Sequence, residues 1–169
     1  MNKNILSKSA ILTAIVVVGV FGISSVANAS GTVTLSQVSN VTVTFSDSIA
    51  SCNNTFGVSS PVSKSLGTGK GTAKGTQFSL GQLPSGEVVF YITCNGTTYY
   101  SGSASRNPDG FDHANVSALS SASWKVNFED QWGGGDRDYN DIMLTVTATP
   151  ACTSHSTKQC SGNAVYWYD

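Results

Sequence analysis

The sequence has few charged residues, and this scarcity limits what the protein can be. Only 11% of its 169 residues are charged, nine basic and ten acidic, for a net charge of −1, whereas roughly a quarter is usual in soluble domains. Coiled coils and charged helical bundles are excluded, because they need charged helix faces. There is also no basic stripe to neutralise phosphates, so we expect no nucleic-acid partner.

Long apolar runs are missing outside the first thirty residues. There, two lysines precede an apolar stretch over residues 10–26, and an Ala-x-Ala cleavage pattern ends at Ala29. This combination predicts a secretory signal peptide over residues 1–29. A membrane anchor is the alternative, but the apolar run is short for a bilayer span. We therefore predict that residues 30–169 form one domain without a transmembrane segment, secreted or periplasmic in a bacterium.

Four cysteines are present, and all of them follow the predicted signal peptide. An even number in an exported protein favours two disulfides. Of the three pairings we favour Cys52–Cys94 together with Cys152–Cys160, the second of which closes a short loop in a C-terminal segment over 150–169. Zinc is the alternative, but no two cysteines have the C-x-x-C spacing of zinc sites.

Helical patterns are absent as well, and apolar residues recur with a period of two. Alternation is clear in four segments, which are Val41–Phe45, Val88–Ile92, Trp124–Phe128 and Ile142–Val146. Each has one apolar face, as a half-buried strand does. Asn95-Gly96 follows the second segment and is typical of a type I′ hairpin turn. We therefore predict an all-β fold, a small antiparallel β-sandwich.

One segment departs from this low-charge background, because residues 129–141 carry five of the ten acidic residues. The segment joins the predicted strand that begins at Trp124 to the one that begins at Ile142, and three consecutive glycines let it turn tightly. Five carboxylates that converge without a counter-ion repel one another, and Arg137 can offset only one of them. Oxygen ligands without Cys or His favour a hard cation, which outside the cell is Ca²⁺.

The loop does not follow the EF-hand pattern. Asp136, Asp138 and Asn140 match its first three ligand positions, but Asp141 stands where the turn glycine belongs. In an extended segment the first three would point the same way, with Asp141 turning back beside them. Glu129 would reach in from the preceding strand. The predicted metal ligands are therefore Glu129, Asp136, Asp138, Asn140 and Asp141.

The order Glu-Asp, a spacer, Asp-x-Asp-Tyr-Asn-Asp and an apolar strand resembles the calcium loop of the bacterial two-calcium lectins that bind fucose and mannose. In that family, hydroxyls of the sugar coordinate two adjacent Ca²⁺ ions. The resemblance implies one ligand set for each ion: Glu129, Asp136, Asp138 and Asp141, and then Asp138, Asn140 and Asp141. The spacer here is three residues longer and contains Trp132. The chain also runs on where the lectins end in a carboxylate that a neighbouring subunit uses.

A second resemblance covers about residues 107–148, the motif-bearing part of the chain. Asn-Pro-Asp-Gly-Phe-Asp-His-Ala, followed by Phe-Glu-Asp and Gly-Gly-Gly-Asp-Arg-Asp-Tyr-Asn-Asp, resembles an uncharacterised domain of exported bacterial proteins that recurs in large adhesins. It implies that Asp112 is an outer metal ligand or orients the loop, and we extend this role to Asp130. The alternative is that Asp109-Gly110 is only a turn and His113 only a polar residue at a strand edge.

Three functions are compatible with a calcium loop in an exported β-sandwich. The first is lectin-like or adhesin-like recognition of a glycan or another cell-surface ligand, with Trp132 and Tyr139 in contact with the sugar ring. The second is an extracellular structural or surface protein in which Ca²⁺ only stabilises the fold. The third is a hydrolase, but the chain has only two histidines and no nucleophile motif. We expect a binding protein with one or two Ca²⁺ ions and no enzymatic activity.

Overall fold

A computed structural model describes residues 31–151 of the chain. The predicted signal peptide, the pair Cys152–Cys160 and most of the segment over 150–169 lie outside the described residues. The described part of the chain contains two single-turn 3₁₀ helices, Ala104–Arg106 and Trp132–Gly134, and ten strands. The ten strands are β1 Val33–Leu35, β2 Ser39–Asp47, β3 Thr55–Ser60, β4 Lys64–Thr68, β5 Gln77–Leu83, β6 Gly86–Cys94, β7 Thr97–Tyr100, β8 Ala114–Ser120, β9 Ser123–Phe128 and β10 Ile142–Pro150. Within residues 31–151, no helix is long and apolar enough to cross a membrane.

The strands form two antiparallel sheets around one core. One sheet has the order β1–β6–β3–β4, with β7 also paired to β6, and the other has the order β5–β2–β10–β9–β8. Buried apolar side chains from both sheets pack in a single cluster. The predicted all-β antiparallel sandwich is therefore confirmed for the described residues.

The alternation in the sequence decides which face of each strand is buried. In β2, Val41, Val43 and Phe45 are buried, whereas the threonines between them stay partly exposed. Phe45 stacks on Phe56 of the opposite sheet, with ring centroids 5.2 Å apart. Apolar faces with a period of two thus meet in the middle and join the two sheets.

The turn between β6 and β7 is the predicted two-residue hairpin. Asn95 and Gly96 have positive φ angles of 47° and 84°, as a type I′ turn requires. Cys94 pairs directly with Thr97 across the turn. This hairpin, the β2–β3 connection and the β9–β10 loop meet at one end of the sandwich, where they border a common cleft.

Candidate metal centre

The acidic loop, residues 129–141, is held at its base by the second sheet. The Asp141 N–H donates a hydrogen bond to the Phe128 carbonyl at 3.0 Å, and the Glu129 N–H donates to the His113 carbonyl at 2.9 Å. Strand hydrogen bonding thus continues into the first and last residues of the loop. Glu129 and Asp141 are therefore fixed by the backbone, although neither belongs to a strand.

The loop brings its carboxylates into two overlapping groups. Oxygen atoms of Glu129, Asp136 and Asp138 lie within 4.8 Å of one another, and so do oxygen atoms of Glu129, Asp130 and Asp141. Asp136 and Asp138 are exposed, whereas Asp130 and Asp141 are buried. Ligand oxygens around one Ca²⁺ ion lie up to about 5 Å apart, so the spacing suits one ion, or two ions that share Glu129.

Glu129 is an acid buried without a hydrogen-bond partner for one of its oxygens. Glu129 is only 1% exposed, and its Oε2 accepts no hydrogen bond from any described residue. Burial, followed by the negative charges of neighbouring loop aspartates, raises the pKa of Glu129 to about 8. Burial also raises the pKa of Asp141. A bound cation would oppose both shifts, because it favours the ionised carboxylates.

Asp130 and Asp141 are positioned by the loop's own backbone and by side-chain donors from the β2–β3 connection. The Asp130 N–H donates to Asp141 Oδ2 at 2.7 Å. The side-chain amide of Asn54, a buried residue just before β3, donates to Asp130 Oδ2 at 2.6 Å. The Ser48 hydroxyl, just after β2, donates to the Asp141 carbonyl at 2.7 Å. The base of the loop is therefore tied to the β2–β3 connection, which joins the second sheet to the first.

The segment from Asp136 to Asn140 is not extended, and this differs from the conformation considered in the sequence analysis. Arg137 and Tyr139 have positive φ angles of 63° and 52°, so alternate residues are left-handed. The carboxylates of Asp136 and Asp138 each accept a hydrogen bond from the N–H two residues ahead, at 3.3 and 3.2 Å. These are two successive Asx turns, which such short polar side chains favour. The carboxylates of Asp136 and Asp138 converge in this conformation, as the group that they form with Glu129 shows.

The other predicted site residues lie around the carboxylates rather than among them. The Tyr139 hydroxyl donates to the Asp112 carbonyl at 3.2 Å, so this partly buried ring packs at the base of the loop. The Asp112 carboxylate lies in neither group of acids, although its Oδ1 is buried without a partner. Trp132 is 67% exposed. Of the two aromatic residues predicted to contact a ligand, Trp132 is the more accessible.

A buried pair, Asp109 and His113, supports the loop from below. His113 is fully buried and stacks on Tyr99, with ring centroids 3.7 Å apart. Its Nε2 lies 2.8 Å from Asp109 Oδ2, and its Nδ1 lies 2.8 Å from the Glu129 carbonyl oxygen. Both ring nitrogens of His113 therefore have a polar partner, one in the Asp109 carboxylate and one in the backbone of Glu129. His113, which directly precedes the edge strand β8, is therefore buried and supports the backbone of Glu129.

The Asp109 carboxylate also fixes the turn that carries Trp132. It accepts hydrogen bonds from the Gly133 N–H at 2.8 Å and from the Phe111 N–H at 3.1 Å. Burial raises the pKa of Asp109, but these donors and His113 outweigh it and hold that pKa below its usual value. The motif around 107–114 is visible in the sequence, but the sequence alone indicates no role for Asp109 beyond a turn. The Asp-Gly-x-Asp-His spacing could have pointed to Asp109, but only the fold shows that the side chains of Asp109 and His113 are buried together.

An open cleft of about 1060 Å³ lies over the exposed carboxylates. The acidic loop borders it on one side, with Asp136, Asp138 and Trp132. The β2–β3 connection and the β6–β7 hairpin border it on the other. The disulfide between Cys52 and Cys94 joins these last two walls, and this pairing was predicted correctly.

The part of the chain that contains the acidic loop is similar to a family of domains. Residues 73–149 match the model of DUF4114, a domain of unknown function. The DUF4114 match starts just before β5 and ends in β10, so it includes the acidic loop, Asp109 and His113 but not β1–β4. The expected similarity to an uncharacterised domain is confirmed by this match. No curated protein shows a significant match to the chain.

Proposed function

We propose that this protein acts outside the cell and binds Ca²⁺ through the acidic loop of its DUF4114 segment, and that the bound ion takes part in carbohydrate recognition. The observation that carries the proposal is the buried and unpaired carboxylate oxygen of Glu129. Its buried Oε2 has no hydrogen-bond partner, and its carboxylate belongs to two groups of converging acids. Buried carboxylates are normally paired with a cation or coordinated to a metal.

The charge of the loop supports a divalent cation. Residues 129–141 contain five carboxylates and a single arginine. The Arg137 guanidinium lies over the ring of Phe111, 5.6 Å from its centre, and no ion pair joins it to an acid among residues 31–151. The carboxylates are therefore not neutralised by the protein itself, and their repulsion favours the binding of a cation.

Calcium fits this set of donors better than zinc or magnesium. The donors are carboxylates and the side chain of Asn140, with no histidine or thiol of the kind that zinc prefers. Ca²⁺ accepts six to eight oxygens in flexible geometry, whereas Mg²⁺ needs a regular octahedron. The charges of Glu129, Asp136, Asp138 and Asp141 balance two Ca²⁺ ions, and the two carboxylate groups that share Glu129 accommodate either one ion or two.

The cleft above the loop supports recognition of a sugar. Because Asp136 and Asp138 are exposed, an ion that they bind keeps coordination positions open to solvent, where adjacent hydroxyls of a sugar can enter. The exposed indole of Trp132 offers a flat apolar surface for the C–H face of a sugar ring. The resemblance of the loop to that of the two-calcium lectins favours the same ligand class.

A second function, stabilisation of the fold alone, is favoured by the burial of the loop base. Glu129, Asp130 and Asp141 are all buried, so an ion bound there would stabilise the folded state whether or not a ligand binds. In this alternative the protein is an extracellular structural or surface protein, and its calcium takes no part in recognition.

Calcium titration combined with glycan binding distinguishes the two functions. The chain is freed of metal with EDTA, titrated with Ca²⁺ by calorimetry, and applied to a glycan array in Ca²⁺ or in EDTA. Asp138→Asn removes one exposed ligand charge. Asp47→Asn is the matched control, because Asp47 pairs with Lys74 outside the cluster. We expect D138N to weaken Ca²⁺ binding by about tenfold or more, as loss of a charged ligand does, and D47N to leave it unchanged.

The glycan result then separates the alternatives. EDTA-sensitive glycan binding that D138N weakens supports the proposed function. Calcium-dependent melting without any glycan signal supports the purely stabilising role. Release of a cleaved sugar would indicate a hydrolase. If the metal-free protein binds no Ca²⁺, the proposal is refuted altogether.

A further inference from the structure

We infer that the ligand is an oligosaccharide of at least two uncharged sugar units. Its first unit lies in the open cleft over the acidic loop, which we call the calcium cleft, and its second unit lies in an adjacent cleft that Trp132 also borders. The inference rests on the proposed function, because it takes the first unit to coordinate the ion. The second cleft has a volume of about 660 Å³ and lies between the β6–β7 hairpin and the segment before β8. This cleft is shallow and open to solvent, so a sugar unit in it would contact the protein through one face only.

The two clefts are adjacent, because Trp132 and Thr97 border both of them. Large apolar side chains are exposed at only four of the described positions, and two of these, Trp132 and Ile49, border the calcium cleft. Exposed apolar groups beside a polar cleft are typical of ligand-binding surfaces. A ligand longer than one sugar ring can therefore pass from the calcium cleft along the indole into the second cleft.

The backbone beneath Trp132 is fixed before any ligand arrives. The Gly134 N–H donates to the Gln131 carbonyl at 3.0 Å, and the Gly133 N–H donates to the buried Asp109 carboxylate at 2.8 Å. Gly133 has a φ of 74°, which glycine adopts without strain. A ligand that stacks on an indole held in this way loses little affinity to ordering of the loop.

The second cleft favours an uncharged ligand rich in hydroxyl groups. Its bordering residues include no carboxylate. Their one cation, Arg106, is already neutralised by Glu87, whose two carboxylate oxygens accept from its guanidinium at 2.7 and 2.6 Å. Side chains with hydroxyl groups that can hydrogen-bond a neutral sugar make up half of the remaining border: Thr97, Thr98, Tyr100 and Ser105. Such groups beside an aromatic ring suit a sugar unit better than a charged peptide or lipid headgroup.

Ser105→Trp tests the second cleft without altering the calcium cleft. Ser105 is exposed and borders the second cleft but not the first, so a tryptophan there occupies the volume of the second sugar unit. Ser121→Trp is the matched control, because Ser121 is exposed in the β8–β9 turn and borders neither cleft. Both variants of the full chain, loaded with Ca²⁺, are applied to an array of mannose, fucose and glucose, each as monosaccharide and as linear di- to tetrasaccharides.

We expect a linear trisaccharide to bind about tenfold more tightly than its monosaccharide, a difference of about 1.4 kcal/mol. S105W reduces this ratio to about one, and leaves the affinity for the monosaccharide and for Ca²⁺ unchanged. S121W changes none of these values. Melting temperatures equal to that of the unmodified chain confirm that both variants fold.

Two results would overturn the inference while leaving the proposed function standing. In the first, glycans bind in an EDTA-sensitive manner but affinity does not increase with chain length. In the second, the affinity increases with chain length, and a folded S105W variant shows the same increase as the unmodified chain. Absence of any EDTA-sensitive glycan binding refutes the proposed function itself, and an EDTA-sensitive signal confined to a peptide array refutes the assignment to carbohydrate.

Discussion

Replacing Glu129 with glutamine should change stability in opposite directions without and with calcium. The substitution keeps the shape of the side chain and removes its charge. Without metal, it removes a buried charge that neighbouring aspartates repel. With metal, it removes the carboxylate that belongs to both groups of acids. A buried residue that only fills space would not show this reversal.

The size of the effect follows from the pKa of Glu129, which burial and the loop aspartates raise from 4.5 to about 8. The folded state therefore holds this proton more tightly than the unfolded chain does. Its contribution to metal-free stability is complete below about pH 4.5 and is lost as the pH rises to about 8. The full shift corresponds to about 5 kcal/mol. Because the structure around a buried carboxylate relaxes and admits water when the group ionises, we expect about 2 kcal/mol.

Urea unfolding at pH 5 and pH 8, in EDTA and in saturating Ca²⁺, measures both effects. In EDTA, the unmodified chain should lose about 2 kcal/mol between pH 5 and pH 8, or roughly 4–8 °C in melting temperature, and E129Q should lose little. The variant is then the more stable protein at pH 8. In Ca²⁺ the order reverses, because a ligand at a hundred times its Kd stabilises by about 2.7 kcal/mol, and E129Q binds it weakly.

Glu87→Gln is the matched control, because this glutamate differs from Glu129 in the direction of its pKa shift. A hydrogen bond from Arg106 outweighs burial and lowers the pKa of Glu87, so its contribution is present at neutral pH and is lost as the pH falls. E87Q should therefore be slightly less stable at pH 8, equally in EDTA and in Ca²⁺. The reasoning fails if E129Q is less stable than the unmodified chain at pH 8 in EDTA, or if Ca²⁺ stabilises both equally.

Three other changes test the supports of the loop. His113→Phe leaves the buried Asp109 carboxylate without its imidazole partner, and urea unfolding should show a loss of about 3 kcal/mol with or without Ca²⁺; a loss seen only with Ca²⁺ would contradict this. Serine at both Cys52 and Cys94 opens a bridge between residues 42 apart, and thermal or urea unfolding should show a loss of about 4 kcal/mol. Asn54→Ala removes a donor from the loop, and calorimetry should show weaker Ca²⁺ binding while circular dichroism stays unchanged.

The strands could be predicted from the sequence, because their periodicity is a local property. The alternation of Val41, Val43 and Phe45 with threonines is enough to indicate a strand with one buried face. Which strands pair with each other could not be predicted from the sequence. β10 lies between β2 and β9, and periodicity states which face is buried but not which strand pairs with which.

The acidic loop could also be predicted, but its supports could not. Clustered carboxylates are visible in the sequence, whereas the contact between Asn54 and Asp130 joins residues 76 positions apart. His113 is fully buried and stacks on Tyr99 of β7, which lies 14 positions earlier in the sequence. The extended conformation of the loop was wrong for a local reason, because Arg137 and Tyr139 adopt left-handed angles that residues other than glycine rarely take.

The buried base and the exposed middle of the acidic loop are suited to different tasks, and Glu129 links them. Asp130 and Asp141 are buried and held by donors from the β2–β3 connection, so charge there acts on the stability of the fold. Asp136 and Asp138 are exposed on Asx turns beside the cleft, so charge there acts on what the cleft contains. An ion that Glu129 shares with the exposed acids would therefore connect occupancy of the cleft to stability of the sandwich, because whatever binds only the folded state stabilises it.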